Sequence, residues 1–199
     1  DAGFLYVAAN LYEMPFAPGV FDRATMVRVL HHMQDPPAAL GSVRRVMQPG
    51  GVFVLEFANK QNLKAIARWA LRRQAWNPFD REPVEFVELN YNFHPGYVLD
   101  TLREAGFEPG RMLTVSHYRI GLLKRTIPTG VLAGMDSLAQ LTGNWWQLTP
   151  SVFVRNVASG EGEAAPEGAF WMCPQCGSYE MTERDDVLTC EDCGTRWAR

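Results

Sequence analysis

The stretch that most constrains the fold runs over residues 20–60, VFDRATMVRVLHHMQDPPAALGSVRRVMQPGGVFVLEFANK. Phe21-Asp22 opens a strand, and residues 24–30 continue as a short apolar run of the length expected for a strand buried on both faces. Asp35 followed by Pro36 and Pro37 is a helix start, with a side-chain acceptor at the N-cap and prolines where a missing N–H costs nothing. Leu40, Val43, Val46 and Met47 then recur at helical spacing, with Arg44 and Arg45 on the outer side. Pro49-Gly50-Gly51 predicts the end of that helix and a tight turn, and residues 52–57 predict a second apolar strand. A strand–helix–strand unit of this kind forms a right-handed parallel crossover, with ligands outside the carboxyl ends of the strands. The fold class is therefore α/β.

Further motifs fill in the frame. Residues 4–8 read as an earlier strand ending before Asn10, Leu11 and Tyr12. Residues 61–74 predict an amphipathic helix whose packed side is Leu63, Ile66, Ala67, Ala70 and Leu71, with Lys60, Lys64, Arg68 and Arg72 as a basic stripe. That stripe is either a solvated face or a contact for an anionic substrate, RNA or a lipid surface. Residues 75–97 hold prolines and aromatics without a sustained period, and His94-Pro95 starts a helix with Val98, Leu99, Leu102 and Ala105 on its buried side, ended by Gly106. Residues 112–118 and 150–157 predict strands, and residues 121–141 a helical stretch broken near Pro128. Trp145-Trp146 reads as packing for the rim of the sheet, with stacking on a substrate ring as the alternative.

In sequence, the run from Asn10 through VLHH, RRVMQPGG and VFVLEFANK resembles the second half of a class I S-adenosylmethionine-dependent methyltransferase of the type 11 kind. The resemblance covers about residues 4–157 and is most specific over 10–60. It implies a Rossmann-like sheet whose last strand lies inside the one before it, and S-adenosyl-L-methionine as cofactor. On that resemblance Asn10 and Leu11 face the adenine, and Arg28, Val29 and His31 line the cofactor at the end of the next strand. Segment 75–97 takes the place of a substrate lid, with Glu85, Glu88, Tyr91 and His94 as its titratable groups. His31, Tyr91 and His94 are the candidates for proton transfer, and no base is fixed. The first strand, glycine-rich loop and acidic second-strand end of the resembled domain do not precede Asn10, so the chain reads as an N-terminally truncated form. The acceptor implied is a small molecule. RNA methylation and a non-catalytic interaction role are the alternatives.

The tail carries the sharpest motif. Cys173-Pro-Gln-Cys176 and Cys190-Glu-Asp-Cys193 hold all four cysteines of the chain, each pair followed by a glycine, Gly177 or Gly194. Four thiolates at this spacing close a tetrahedral Zn2+ site with no open position, which makes the metal structural. The tail resembles a zinc ribbon over residues 170–199, joined by a small-residue, acidic flexible linker over 158–169 to a methyltransferase part over 1–157. The chain carries a net charge of −3. From residue 161 onward it has nine acidic and three basic residues, against thirteen and sixteen before. An acidic ribbon argues for a protein contact rather than nucleic acid. No apolar run is long enough to span a bilayer and no signal peptide opens the sequence, so the expected location is cytoplasmic.

Overall fold

The computed structural model describes residues 5–118, 121–184 and 187–198. Strand β1 (Phe21–Met26) and strand β2 (Met47–Ala58) pair in parallel across helix α1 (Pro36–Val46), as the crossover requires. Asp35 caps α1, its side chain accepting from the Ala38 amide. The pattern of 20–60 departs from expectation at two points. β1 stops at Met26, because Arg28 adopts a left-handed backbone (φ 59°) that no strand tolerates, and Leu30–His32 then wind into a 3-10 turn. Pro49-Gly50-Gly51 does not end the helix, which has already stopped at Val46. It forms a bulge inside β2, where the partner of Phe21 is Met47 and the partner of Arg23 is Val52. Gly51 is required there: a Cβ would lie 2.9 Å from the Gln48 carbonyl oxygen.

After β2 come helix α2 (Leu63–Ala70), a hairpin of β3 (Val84–Val87) and β4 (Asn90–Asn92), helix α3 (Pro95–Glu104) and strand β5 (Phe107–Val115). Helices α4 (Gly121–Thr126) and α5 (Thr129–Gln140) and a 3-10 turn over Leu141–Asn144 lead to strand β6 (Ser151–Ala158). The sheet order is β1-β2-β6-β5, with β6 antiparallel to both neighbours, so the last strand of the sheet lies inside the one before it. The break at Pro128 falls where the sequence placed it. Strand β5 begins at Phe107 and not at 112, because Phe107 is itself buried against Phe53 with ring centroids 5.0 Å apart. Residues 5–8 form no strand; Phe4 lies outside the described residues. Among the described residues β1 has a sheet partner on one edge only.

The core is built from Leu40, Val43 and Met47 around α1, Val98 and Leu102 of α3, and Phe53, Leu55, Phe57, Val152 and Val154 of the inner strands. Arg44 and Arg45 face away from it, yet neither is a free surface charge. Arg44 donates to the carbonyls of Gly106, Met47 and Ser159, and Arg45 to those of Phe16 and Met14 at 2.7 and 2.8 Å.

Helix α2 reverses the expected orientation. Ala65 is its buried residue, while Leu63 and Leu71 are 63% and 65% exposed. The stripe also loses its first member: Lys60 is 1% exposed, its Nζ donating to the Glu82 carbonyl at 2.6 Å beneath the Trp76 ring. Trp145 and Trp146 do not pack the sheet rim; they are 78% and 62% exposed.

The tail is a three-stranded sheet of β7 (Met181–Arg184), β8 (Val187–Cys190) and β9 (Arg196–Ala198). Residues just ahead of it dock on the amino-terminal end of β1. Phe16 and Trp171 form a β-bridge with rings stacked at 5.3 Å, and Phe21 and Phe170 close the cluster edge-on.

Candidate functional site

The parallel pair β1–β2 directs its carboxyl ends to one side, where Arg28, Val29 and His31 follow β1 and Glu56 lies near the end of β2. The Arg28 amide donates to Glu56 Oε2 at 2.9 Å, and the Ser151 hydroxyl donates to Glu56 Oε1 at 2.5 Å. A buried carboxylate thus ties the left-handed turn after β1 to β2 and β6. Around that tie Val27, Arg28 and Val29 leave their side chains exposed. His31 and His32 follow with ring centroids 4.0 Å apart, and His32 Nδ1 meets the Leu89 carbonyl at 3.0 Å. His31 Nδ1 is buried and has no hydrogen-bond partner. Burial, then His32, push the His31 imidazole below its ordinary range, with Glu56 opposing and Arg28 adding to the shift. The shift favours the neutral imidazole.

Asn10 caps the turn Leu11–Glu13, accepting from the Tyr12 amide at 3.1 Å, and is otherwise exposed. Tyr12 pins this turn to α1: its hydroxyl accepts from the Asp35 amide and its carbonyl from Ser42 Oγ. The turn that carries Leu11 therefore packs on α1, while the Leu30–His32 turn packs on β2 and β4.

Tyr91 lies on β4, the strand that packs against the His31–His32 turn, and stacks toward Phe93 at 6.4 Å. Partial burial and the Glu85 carboxylate raise its phenol above the usual range. His94 is elsewhere. It caps α3, its Nδ1 accepting from the Gly96 amide at 3.0 Å, and burial together with Arg81 and Lys60 lowers its imidazole. The structure groups His31 with Glu56 and Arg28, and His94 with Arg81 and Lys60. Asn59 and Lys60 act as internal struts, Asn59 Nδ2 reaching the Gln147 and Thr149 carbonyls at 2.5 and 2.8 Å. The sequence places Glu56, with Asn59 and Lys60, at or past the end of the second strand as neighbours of a substrate, but carries no sign that the Glu56 carboxylate anchors the turn after β1.

In the tail, Gly177 (φ 77°) and Gly194 (φ 70°) occupy the left-handed region that each Cys knuckle needs, and their amides donate to Cys173 O and Cys190 O at 2.8 and 2.9 Å. The four Sγ atoms lie within 4.8 Å of one another, with Cys173–Cys193 at 3.7 Å and Cys176–Cys190 at 3.6 Å. A zinc at the usual Zn–S distance of about 2.3 Å sets tetrahedral sulfurs about 3.8 Å apart. All four cysteines are free thiols, so the donor set fits the ion.

The family model described as a methyltransferase domain matches residues 1–55. That match covers the Asn10 turn, β1, the Arg28–His31 turn and most of β2. Ubiquinone/menaquinone biosynthesis C-methyltransferases of Shewanella baltica and Shewanella oneidensis align with 30% and 43% identity over 122 residues, covering 52% of this chain and 45% of each relative. The chain thus spans about half the length of the curated relatives it matches. In fold it is similar to an S-adenosylmethionine dependent methyltransferase from Mesorhizobium loti, with a TM-score of 0.50 at 20% identity over 79% of this chain and 70% of that one. The sheet is the Rossmann-like methyltransferase sheet. Among the described residues no helix is long and apolar enough to cross a membrane.

Proposed function

We propose that this chain takes part in methyl transfer from S-adenosyl-L-methionine to a small-molecule acceptor. The observation that carries the reading is the Glu56-tied turn Arg28–His31 at the carboxyl end of β1, inside the segment that matches the methyltransferase domain. The cofactor, when bound, supplies an electrophilic methyl group; the protein's part is to bind, align and shield it. Asn10 and the Leu11 amide would meet the adenine, and Arg28, Val29 and His31 would border the rest of the cofactor. His31, whose shift favours the neutral imidazole and which follows the carboxyl end of β1, is the group best placed to accept a proton from an acceptor, and Tyr91 lies on the neighbouring strand. His94 is less suited, because its Nδ1 is already occupied by the cap of α3. The names of the Shewanella relatives favour carbon methylation of a ubiquinone- or menaquinone-type precursor.

In this reading residues 1–157 form the methyltransferase part, 158–169 the connector and 170–199 a zinc ribbon, with Zn2+ held by Cys173, Cys176, Cys190 and Cys193. Free thiols of this kind suit a reducing, cytoplasmic setting. Titration calorimetry with S-adenosylhomocysteine tests the cofactor assignment. Binding weakened about tenfold or more by Asn10→Ala or His31→Ala supports it, and binding that neither substitution moves refutes these residues as its contacts.

A further inference from the structure

The methyl-transfer reading leaves the surface of α2 without a role. Leu63, Ala67, Ala70 and Leu71 fall on one side of the helix and are exposed, while Ala65 is the residue turned inward. Lys64 and Arg68 border this apolar strip, and Arg72 and Arg73 follow directly after the helix. The Leu63 amide donates to the Leu148 carbonyl at 2.8 Å, which places the loop carrying Trp145 and Trp146 beside the first turn of α2. Both indoles and part of Leu148 are exposed on that loop.

We propose that the outward face of α2 and the Trp145-Trp146 loop together dock on an anionic lipid bilayer. Three features select this partner. First, the apolar strip faces out and is flanked by cations, the arrangement of a helix that lies in the headgroup plane. Second, two adjacent exposed tryptophans sit at its border, where an amphipathic ring matches the interface between headgroups and acyl chains. Third, the charge is of one sign: residues 61–79 contain four basic and no acidic side chains, and residues 137–150 contain no charged side chain at all. A protein partner of mixed surface charge would need acids here, and a nucleic acid would gain nothing from Leu63 and Leu71. The surface adjoins the carboxyl end of β2, so docking holds that end of the sheet against the membrane. The inference stands independently of the methyl-transfer reading.

Co-sedimentation of the whole chain with vesicles of phosphatidylcholine, and of phosphatidylcholine with phosphatidylglycerol, tests it. Binding to the anionic vesicles is expected, with tryptophan emission shifted to the blue. Lys64→Gln with Arg68→Gln is expected to weaken binding about 25-fold, at about fivefold for each cation near an anionic surface. Leu63→Asp, or Trp145→Ser with Trp146→Ser, is expected to abolish it even at low salt. All of these positions are exposed, and unchanged thermal unfolding of each variant certifies its fold. Failure to sediment with either vesicle overturns the proposal, as does vesicle binding that no substitution alters. Concentration-dependent dimerisation removed by Trp146→Ser would show a second copy on this face, and salt-sensitive binding to single-stranded RNA without vesicle binding would show a nucleic-acid face. Either result overturns it too.

Discussion

Replacing Glu56 with alanine removes the tie on which the Arg28–His31 turn depends. The carboxylate is nine-tenths buried and accepts from the Arg28 amide and the Ser151 hydroxyl at 2.9 and 2.5 Å. Each bond to a charged acceptor contributes about 1.5–3 kcal/mol, so losing both costs about 3–6 kcal/mol. Relief of the buried charge offsets roughly half of this, leaving a net loss of about 2–3 kcal/mol. For a chain of this size that corresponds to a fall in Tm of about 4–12 °C. Arg28 also holds a left-handed backbone, which costs a non-glycine residue of order 1 kcal/mol and persists only while its amide is anchored. Without Glu56 the turn relaxes toward an extended conformation, and affinity for S-adenosylhomocysteine falls on the order of tenfold with it. Differential scanning fluorimetry and calorimetry on Glu56→Ala and Glu56→Gln separate the two effects, because glutamine keeps one acceptor oxygen and fills the space. Wild-type Tm and wild-type affinity in the alanine variant would refute the idea that this carboxylate builds the turn.

Other perturbations have defined outcomes. Purified protein is expected to hold about one zinc per chain by elemental analysis, with Cys173→Ser or a strong chelator releasing it and unfolding β7–β9 as followed by amide exchange, since such sites contribute on the order of 10 kcal/mol to folding; a full complement of zinc in the serine variant would refute the ligand set. Arg45→Ala is expected to cost about 2 kcal/mol and loosen the Phe16–Trp171 seam, seen as a lower Tm and a red shift of tryptophan emission. Asp136 accepts from the His117 amide and meets His117 Nδ1 at 2.9 Å, while His117 Nε2 faces Thr114 Oγ1. Burial alone would raise its carboxyl, but the hydrogen bonds from Gln140 and His117 prevail and hold it below the ordinary value. A depressed folded-state pKa contributes stability that is present above the unfolded pKa and lost as pH falls through the folded one. Stability of the wild type is therefore expected to decline more steeply than that of Asp136→Asn as pH falls through and below the usual carboxylate range, measured by urea unfolding across acid pH.

What the residues announced and what they concealed differ in kind. The Asp35 cap, the parallel β1–β2 pair and the left-handed glycines of the two Cys knuckles are local or combinatorial features, and local rules suffice for them, whereas the inner place of β6 followed only from the family resemblance. The orientation of α2 is not local. Its periodicity draws a stripe but does not say which side meets the core, and hydrophobicity points the wrong way when the apolar side faces out. Lys60 was assigned to a surface stripe by spacing, while its burial depends on Glu82 and Trp76, far along the chain. The end of β1 was hidden because Val27, Val29 and Leu30 continue a strand pattern that only the backbone of Arg28 breaks. Glu56 stood out only as a neighbour of the substrate, and its anchoring role stayed hidden because its partners come from positions 28 and 151.

The seam between Phe16 and Trp171 also fixes an order of events. Its halves lie near opposite ends of the chain, so on a ribosome adding about 5–20 residues each second the first half waits on the order of ten seconds for the second. During that interval Phe16 and Phe21 stand uncovered, although Arg45 can already clamp the Met14 and Phe16 carbonyls and α1 and β2 are complete. The amino-terminal end of the sheet is therefore finished late, by the segment leading into the cysteine module. A nascent chain stalled before residue 170 would expose this aromatic pair, and binding of a hydrophobic dye that disappears once Trp171 has emerged would mark the moment of closure.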